Sequence, residues 1–281
     1  MLTTLVDTET LASRRQDPAW VIFDCSFVLT EPSAGARAYL EGHIPGAHYA
    51  HLDEDLSSPI TPTSGRHPLP NPGVLAHILG QWGVDASKQV VAYDDSGGAI
   101  AGRLWWLLRW LGHDGVAVLD GGLSKWRREG RPLTAHTSTV SPTTFEFRTD
   151  DSRWLTTKDV EQLLTRGAHK LLDARTHERF IGEVEPLDKI AGHVPGAINR
   201  PLRDNLDDNS CFLADDVLYD QFVDLLAGTP PESTVSMCGS GVTACHTLLA
   251  LERAGFFGAK LYAGSWSEWI TNTTRPVAKG A

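Results

Sequence analysis

Cysteine is scarce: four in 281 residues (Cys25, Cys211, Cys238 and Cys245), with no CxxC pair among them. That excludes a disulfide framework and offers no zinc-ligand spacing, and it fits a reducing compartment. Long apolar runs are missing as well. No stretch approaches the eighteen or so apolar residues of a membrane span, and the opening MLTTLVDTETLASRRQDPAW lacks a basic segment followed by an apolar one. The expectation is a cytoplasmic protein with no membrane partner. Positive charge is also in short supply: 25 Lys and Arg against 35 Asp and Glu leave a formal net charge of −10. Such a chain has no basic face for nucleic acid. An anionic ligand would have to be drawn by local donors and a few arginines rather than by the overall field. Nothing in the composition calls for a metal or a cofactor.

What the chain does have is one unit written twice. Glu41-Gly-His-Ile-Pro-Gly-Ala-His48 returns as Ala191-Gly-His-Val-Pro-Gly-Ala-Ile198, Val90-Val-Ala-Tyr-Asp-Asp-Ser-Gly97 as Thr234-Val-Ser-Met-Cys-Gly-Ser-Gly241, and Asp120-Gly-Gly-Leu-Ser-Lys-Trp126 as Ala263-Gly-Ser-Trp-Ser-Glu-Trp269. The offsets are 150, 144 and 143 residues, in the same order. Chance similarity would not keep that order, so the chain is read as a duplication. In each copy short apolar strands such as Trp20–Asp24 and Lys170–Asp173 alternate with helical runs such as Gly73–Gly80 and Ala101–Leu111. That alternation predicts the α/β class, with a parallel sheet covered by helices on both faces. The Thr- and Ser-rich stretch 136-152 reads as a linker between an N-terminal domain, 1-135, and a C-terminal domain, 153-281.

The richest stretch is Cys238-Gly-Ser-Gly-Val-Thr-Ala244. Thr234 to Met237 reads as the end of a buried strand and His246 to Arg253 as a helix, which puts Cys238 on a strand-to-helix turn. There the N–H groups of Gly239, Gly241, Val242 and Thr243 and the helix N-terminus would converge on negative charge at the sulfur. Such a thiol is expected to ionise below the free value of about 8.5. A cysteine at a strand end is also a small buried hydrophobe in many proteins. The first copy has Asp94 in the same place and so cannot do thiol chemistry there. A stabilised thiolate can take up electrophilic sulfur as a persulfide and pass it to a second nucleophile, two-step covalent catalysis. Phosphatase chemistry, which also uses a cysteine on such a loop, needs an arginine fork where this chain has only neutral residues through Ala244.

These motifs resemble the tandem-domain rhodanese family of sulfurtransferases. The likeness runs from about Leu5 to Trp269, and the CGSGVTA loop is closest to the branch that uses 3-mercaptopyruvate. The resemblance implies two rhodanese-like domains, the first of them non-catalytic. It implies that Ser240, His67 and a carboxylate, Asp55 or its neighbours Asp53 and Glu54, handle the donor's proton, and that Arg179 binds the donor's carboxylate. Arg66, beside His67, either steers anions or is merely solvated. Where mercaptopyruvate enzymes carry a second arginine, Glu185-Pro186 is followed here by Leu187. The acceptor would be a thiol such as thioredoxin or glutathione, or cyanide. Thiosulfate as donor, and a persulfide carrier with little turnover of small molecules, are the alternatives. Other residues read as structural: His43 and His193 as pins of the repeated turn, Asp24 and Asp173 as strand-end acceptors, Arg175 as an ion-pair partner of Asp173 or a nearby acid, and Trp105, Trp106 and Trp110 as helix core. Cys245 is read as buried, or else as a resolving thiol.

Overall fold

The computed structural model describes residues 1–167 and 169–280. The chain divides into two compact units. Unit 1 comprises residues 1–58, 69–150 and 208–212; unit 2 comprises 59–68, 151–207 and 213–281. Each unit therefore holds a short segment from the other half of the sequence. In unit 1 that segment ends with Phe212, whose N–H donates to the Asp120 carboxylate at 2.8 Å.

Unit 1 runs β1 (Leu5–Val6), α1 (Thr8–Arg14), β2 (Trp20–Asp24), α2 (Ser33–Glu41), β3 (Ala47–Tyr49), α3 (Pro72–Gln81), β4 (Gln89–Tyr93), α4 (Ala101–Trp110), β5 (Val116–Leu119) and α5 (Gly122–Arg128). Its sheet has the order β1-β5-β4-β2-β3, every pairing parallel. Unit 2 repeats the plan with β6 (Trp154–Leu155), α6 (Thr157–Arg166), β7 (Lys170–Asp173), α7 (His177–Ile181), β8 (Ile198–Asn199), α8 (Asp215–Leu226), β9 (Thr234–Met237), α9 (Thr243–Arg253), β10 (Lys260–Tyr262) and α10 (Ser265–Trp269). The order is β6-β10-β9-β7-β8, again all parallel. The central strands β4 and β9 are buried at every residue, which is why they read as unbroken apolar or small runs rather than alternating ones. The loop that follows a central parallel strand lies at the carboxyl end of the sheet, the usual place for a site in this class of fold.

The repeated motifs make the same contacts in both units. His43 stacks on Tyr39 at 3.8 Å between ring centroids, with Nδ1 against the Tyr39 carbonyl at 2.6 Å. His193 stacks on Phe180 at 3.8 Å with Nδ1 against the Phe180 carbonyl at 2.8 Å. Both imidazoles thus pin the turn, as their recurrence implies. Trp126 and Trp269 are buried, and their indole N–H groups donate to the carbonyls of Pro132 and Pro276 at 2.8 and 2.9 Å. At roughly 25 cal/mol per Å2 and about 150–250 Å2 per ring, each contributes on the order of 4–6 kcal/mol of gross apolar burial. Trp105, Trp106 and Trp110 are core residues of α4. Residues 135–150 have no regular secondary structure and lie along unit 1. There the Thr143 N–H donates to the Gly80 carbonyl, the Arg148 N–H to the Leu111 carbonyl, and Phe145 is buried.

Candidate active site

Cys238 follows directly on β9 and is 2% exposed. Its Sγ accepts the Gly241 N–H at 3.2 Å, closing the loop on the sulfur. Gly241 has φ +80°, and a Cβ there would run into the Ala263 carbonyl, so this position requires glycine. Val242 and Thr243 then open α9, whose N-terminus faces the loop. A second strand-to-helix turn grips the loop from outside. Trp266 N–H donates to the Cys238 carbonyl at 3.0 Å, Ser267 N–H to the Gly239 carbonyl at 2.9 Å, and the Ser265 hydroxyl accepts the Cys238 N–H at 3.1 Å. Cys245, fully buried, donates its thiol to the Gly241 carbonyl at 3.2 Å. Its counterpart in the first copy, Ala101, is buried likewise.

The segment 59–68 of unit 2 delivers two further groups. Gly65 permits the approach, because a Cβ there would meet the Gly264 carbonyl at 2.7 Å and the Ser267 hydroxyl at 2.9 Å. The Arg66 N–H then donates to Ser267 Oγ at 3.1 Å. Next in sequence, His67, 4% exposed, sets Nδ1 at 2.7 Å from the hydroxyl of Ser240, 5% exposed. Arg66 itself is no free surface cation. A Cβ on Gly239 would lie 2.7 Å from Arg66 Nη2 and 3.5 Å from Arg179 Nη2, so both guanidiniums overhang the loop.

Both arginines are held by acids that sequence reasoning passed over. Glu185 takes Arg179 Nη2 at 2.8 Å and also accepts the N–H groups of Leu187 and Asp188 at 3.0 and 3.1 Å. Asp188 pairs with Arg66 through Oδ1 and with Arg179 through Oδ2, the latter at 3.1 Å. Burial pushes the Asp188 carboxyl above its ordinary range against the pull of Arg66. At Glu185 burial pushes the same way, but hydrogen bonds from Arg179 and the Leu187 N–H outweigh it and hold the carboxyl below its ordinary range. Arg175 pairs with Asp173 at 2.6 Å, as expected, and lies over the Trp266 ring at 4.8 Å. Leu187 carries no charge to the loop. It lines an adjoining cavity of about 620 Å3 with Ile60, Ile190 and Ile270, which Arg66 and Asp188 also line.

Asp55 belongs to unit 1. Its carboxylate accepts the His51 N–H at 2.7 Å, and His51 Nδ1 in turn faces the N–H groups of Asp53 and Glu54 at 3.2 and 3.3 Å. Burial raises the Asp55 carboxyl against the His51 N–H bond.

The corresponding loop in unit 1 shows what such a turn holds. The Asp94 carboxylate accepts four backbone N–H bonds, from Ser96, Gly98, Ile100 and Ala101, at 2.8–2.9 Å. The Leu123 N–H caps the Asp94 carbonyl at 2.9 Å, as Trp266 caps that of Cys238. The first copy of the loop is an anion cradle filled by its own side chain.

The rhodanese-like domain family matches residues 7–129 and 156–272. A Pseudomonas aeruginosa protein named "Probable 3-mercaptopyruvate sulfurtransferase" is 49% identical over 98% of this chain and 98% of its own. The thiosulfate sulfurtransferase of Mus musculus is 31% identical over 93% of this chain and 89% of its own. The crystal structure of SseA from Escherichia coli, a 3-mercaptopyruvate sulfotransferase, superposes with a TM-score of 0.80 over 95% of this chain and the whole of that one, at 32% identity. A cysteine loop at the carboxyl end of a duplicated parallel α/β unit thus stands in a chain that belongs to the rhodanese family as a two-domain sulfurtransferase.

Proposed function

We propose that this sulfurtransferase takes sulfur from 3-mercaptopyruvate onto Cys238 and passes it to a thiol such as thioredoxin or glutathione, or to cyanide, in the cytoplasm. The observation that carries the reading is the Ser240 hydroxyl 2.7 Å from His67 Nδ1, two residues beyond the cysteine. Thiosulfate has no thiol proton for such a pair to handle, whereas mercaptopyruvate has one. The donor carboxylate pairs with Arg66 and Arg179, whose forked N–H donors suit it. The Cys238 thiolate attacks the donor sulfur. The carbon–sulfur bond breaks and its electron pair leaves on the enolate of pyruvate. The thiol proton passes through Ser240 to His67 and returns to the enolate, with Asp55, Asp53 or Glu54 assigned as the carboxylate behind the histidine. The loop amides of Gly239, Gly241, Val242 and Thr243 then hold the persulfide anion. An acceptor thiolate or cyanide attacks the outer sulfur and releases Cys238 as thiolate, which makes the kinetics ping-pong. The sulfur-carrying cysteine lies in residues 153-281, the segment 59–68 of the same unit supplies Arg66 and His67, and the Asp94 loop of the first copy is non-catalytic.

Ser240→Ala tests the reading. It lowers kcat/KM for mercaptopyruvate by about 100-fold, the lower end of what a positioned proton-transfer group contributes, and lowers that for thiosulfate much less. An equal loss with both donors, or a wild-type preference for thiosulfate, contradicts it. The similarity to a thiosulfate sulfurtransferase makes that second donor the competing reading. A persulfide carrier with little turnover is contradicted by rates of about 1 per second or faster with mercaptopyruvate.

A further inference from the structure

The arginines above the Cys238 loop do not act as bare cations. Arg66, Arg179 and Arg175 alternate with Asp188, Glu185 and Asp173 in one ion-pair chain: Asp188 bridges Arg66 and Arg179, Glu185 joins Arg179 to Arg175 Nη1 at 3.5 Å, and Asp173 closes it. Three guanidiniums face three carboxylates. Residues 238–244 contain no Lys or Arg that would tip this balance. A ligand seated against Gly239 therefore meets directional N–H donors with little net positive charge behind them.

Coulomb attraction scales with the charge of the ligand. Each carboxylate in this chain thus costs a dianion twice what it costs a monoanion. Asp173 sits at the far end, on Arg175, and Glu185 holds Arg179 at 2.8 Å, only one of the two arginines that reach the loop. Asp188 bridges the two arginines that reach the loop, its side chain 5% exposed.

We propose that Asp188 is a specificity-determining residue: by bridging Arg66 and Arg179 it fixes both forks over Gly239 and offsets one of their charges, so that a carboxylate carrying a neutral thiol is taken in preference to a compact dianion such as thiosulfate. The proposal rests on the assignment of the Cys238 loop as the donor site. It gives the neutral loop a buried partner in donor choice, in a stretch where the sequence draws attention only to the arginine missing at Leu187.

The test is kcat/KM for thiosulfate and for mercaptopyruvate, with cyanide as acceptor, on the same preparations of the wild type, Asp188→Asn and Asp188→Glu. Asp188→Asn raises the thiosulfate-to-mercaptopyruvate ratio by about tenfold or more, mainly through KM for thiosulfate. Asp188→Glu, which keeps the charge, stays near the wild-type ratio. In parallel, protection of Cys238 from alkylation shifts toward sulfate over acetate in Asp188→Asn, a charge readout that needs no turnover. An unchanged ratio in Asp188→Asn, including an equal loss of both activities, overturns the proposal, as does Asp188→Glu shifting as far as Asp188→Asn. Asp188→Ser carries the same expectations should the asparagine variant fail to fold. Failure of the underlying site assignment shows separately, as the absence of a persulfide on wild-type Cys238 after donor treatment.

Discussion

Ser265 adopts the left-handed conformation at φ 53°, where its counterpart in the first copy is Gly122 at φ 54°. A side chain there costs on the order of 1–2 kcal/mol, and serine alone of the pair supplies an acceptor for the Cys238 N–H. Ser265→Ala keeps the strained backbone and leaves that N–H bare, so it lowers stability by about 1–3 kcal/mol. Ser265→Gly loses the same acceptor but relieves the backbone, so its loss in a denaturant titration is the smaller of the two. Equal losses would show that the hydroxyl, and not the φ angle, sets the cost. Arg179→Gln raises KM for mercaptopyruvate by an amount corresponding to roughly 1.5–3 kcal/mol, the range for a hydrogen bond to a charged group. An effect confined to kcat would place Arg179 elsewhere in the reaction. Cys238 and Ser240 stand out in the loop motif, and His67 stands out only through the family resemblance. Asp188 and Glu185 were not, since a sequence shows an acid near an arginine without showing that the acid bridges two of them. Ser265 left one signal, a glycine in the other copy.

The decisive element is the turn after the central strand of each sheet. The turn holds a carboxylate in the first copy and a thiol in the second on differing backbone paths: Gly97 and Gly98 both have positive φ, whereas of their counterparts only Gly241 does and Val242 lies at φ −82°. Asp94→Ala strips the acceptor from four N–H groups, three of them in buried hydrogen bonds, and lowers the stability of unit 1 by about 3 kcal/mol or more. Asp94→Asn, which keeps one oxygen, costs less. Chemical denaturation followed by tryptophan fluorescence measures both, and a neutral Asp94→Ala would contradict the cradle. The strands β2, β7 and β9 were readable from the sequence to within a residue. The placement of residues 59–68 with the second unit was not, because no local periodicity reports which sheet an irregular segment joins. Gly65 has meaning only once the Gly264 carbonyl beside it is known.

At the scale of the whole molecule, stability has a pH dependence whose sign follows from buried imidazoles. His48 and His113, both in unit 1, are held below the ordinary histidine range by burial. The unfolded chain therefore takes up protons before the folded one does, and stability rises with pH through the window ending near the unfolded value of about 6.5. The denaturation midpoint of unit 1 is expected to be lower at pH 5 than at pH 7.5, with His113→Asn flattening part of the difference. A midpoint that rises on acidification would reverse the assignment. Duplication and fold class were legible because three motifs kept their order at nearly one offset. The central claim is that Cys238 alone accepts sulfur from 3-mercaptopyruvate. Intact mass spectrometry with peptide mapping after brief treatment with that donor tests it most directly. A gain of about 32 Da at Cys238, removed by a thiol acceptor and absent in Cys238→Ser, is the predicted result; sulfur on Cys25, Cys211 or Cys245 with Cys238 unmodified would contradict it.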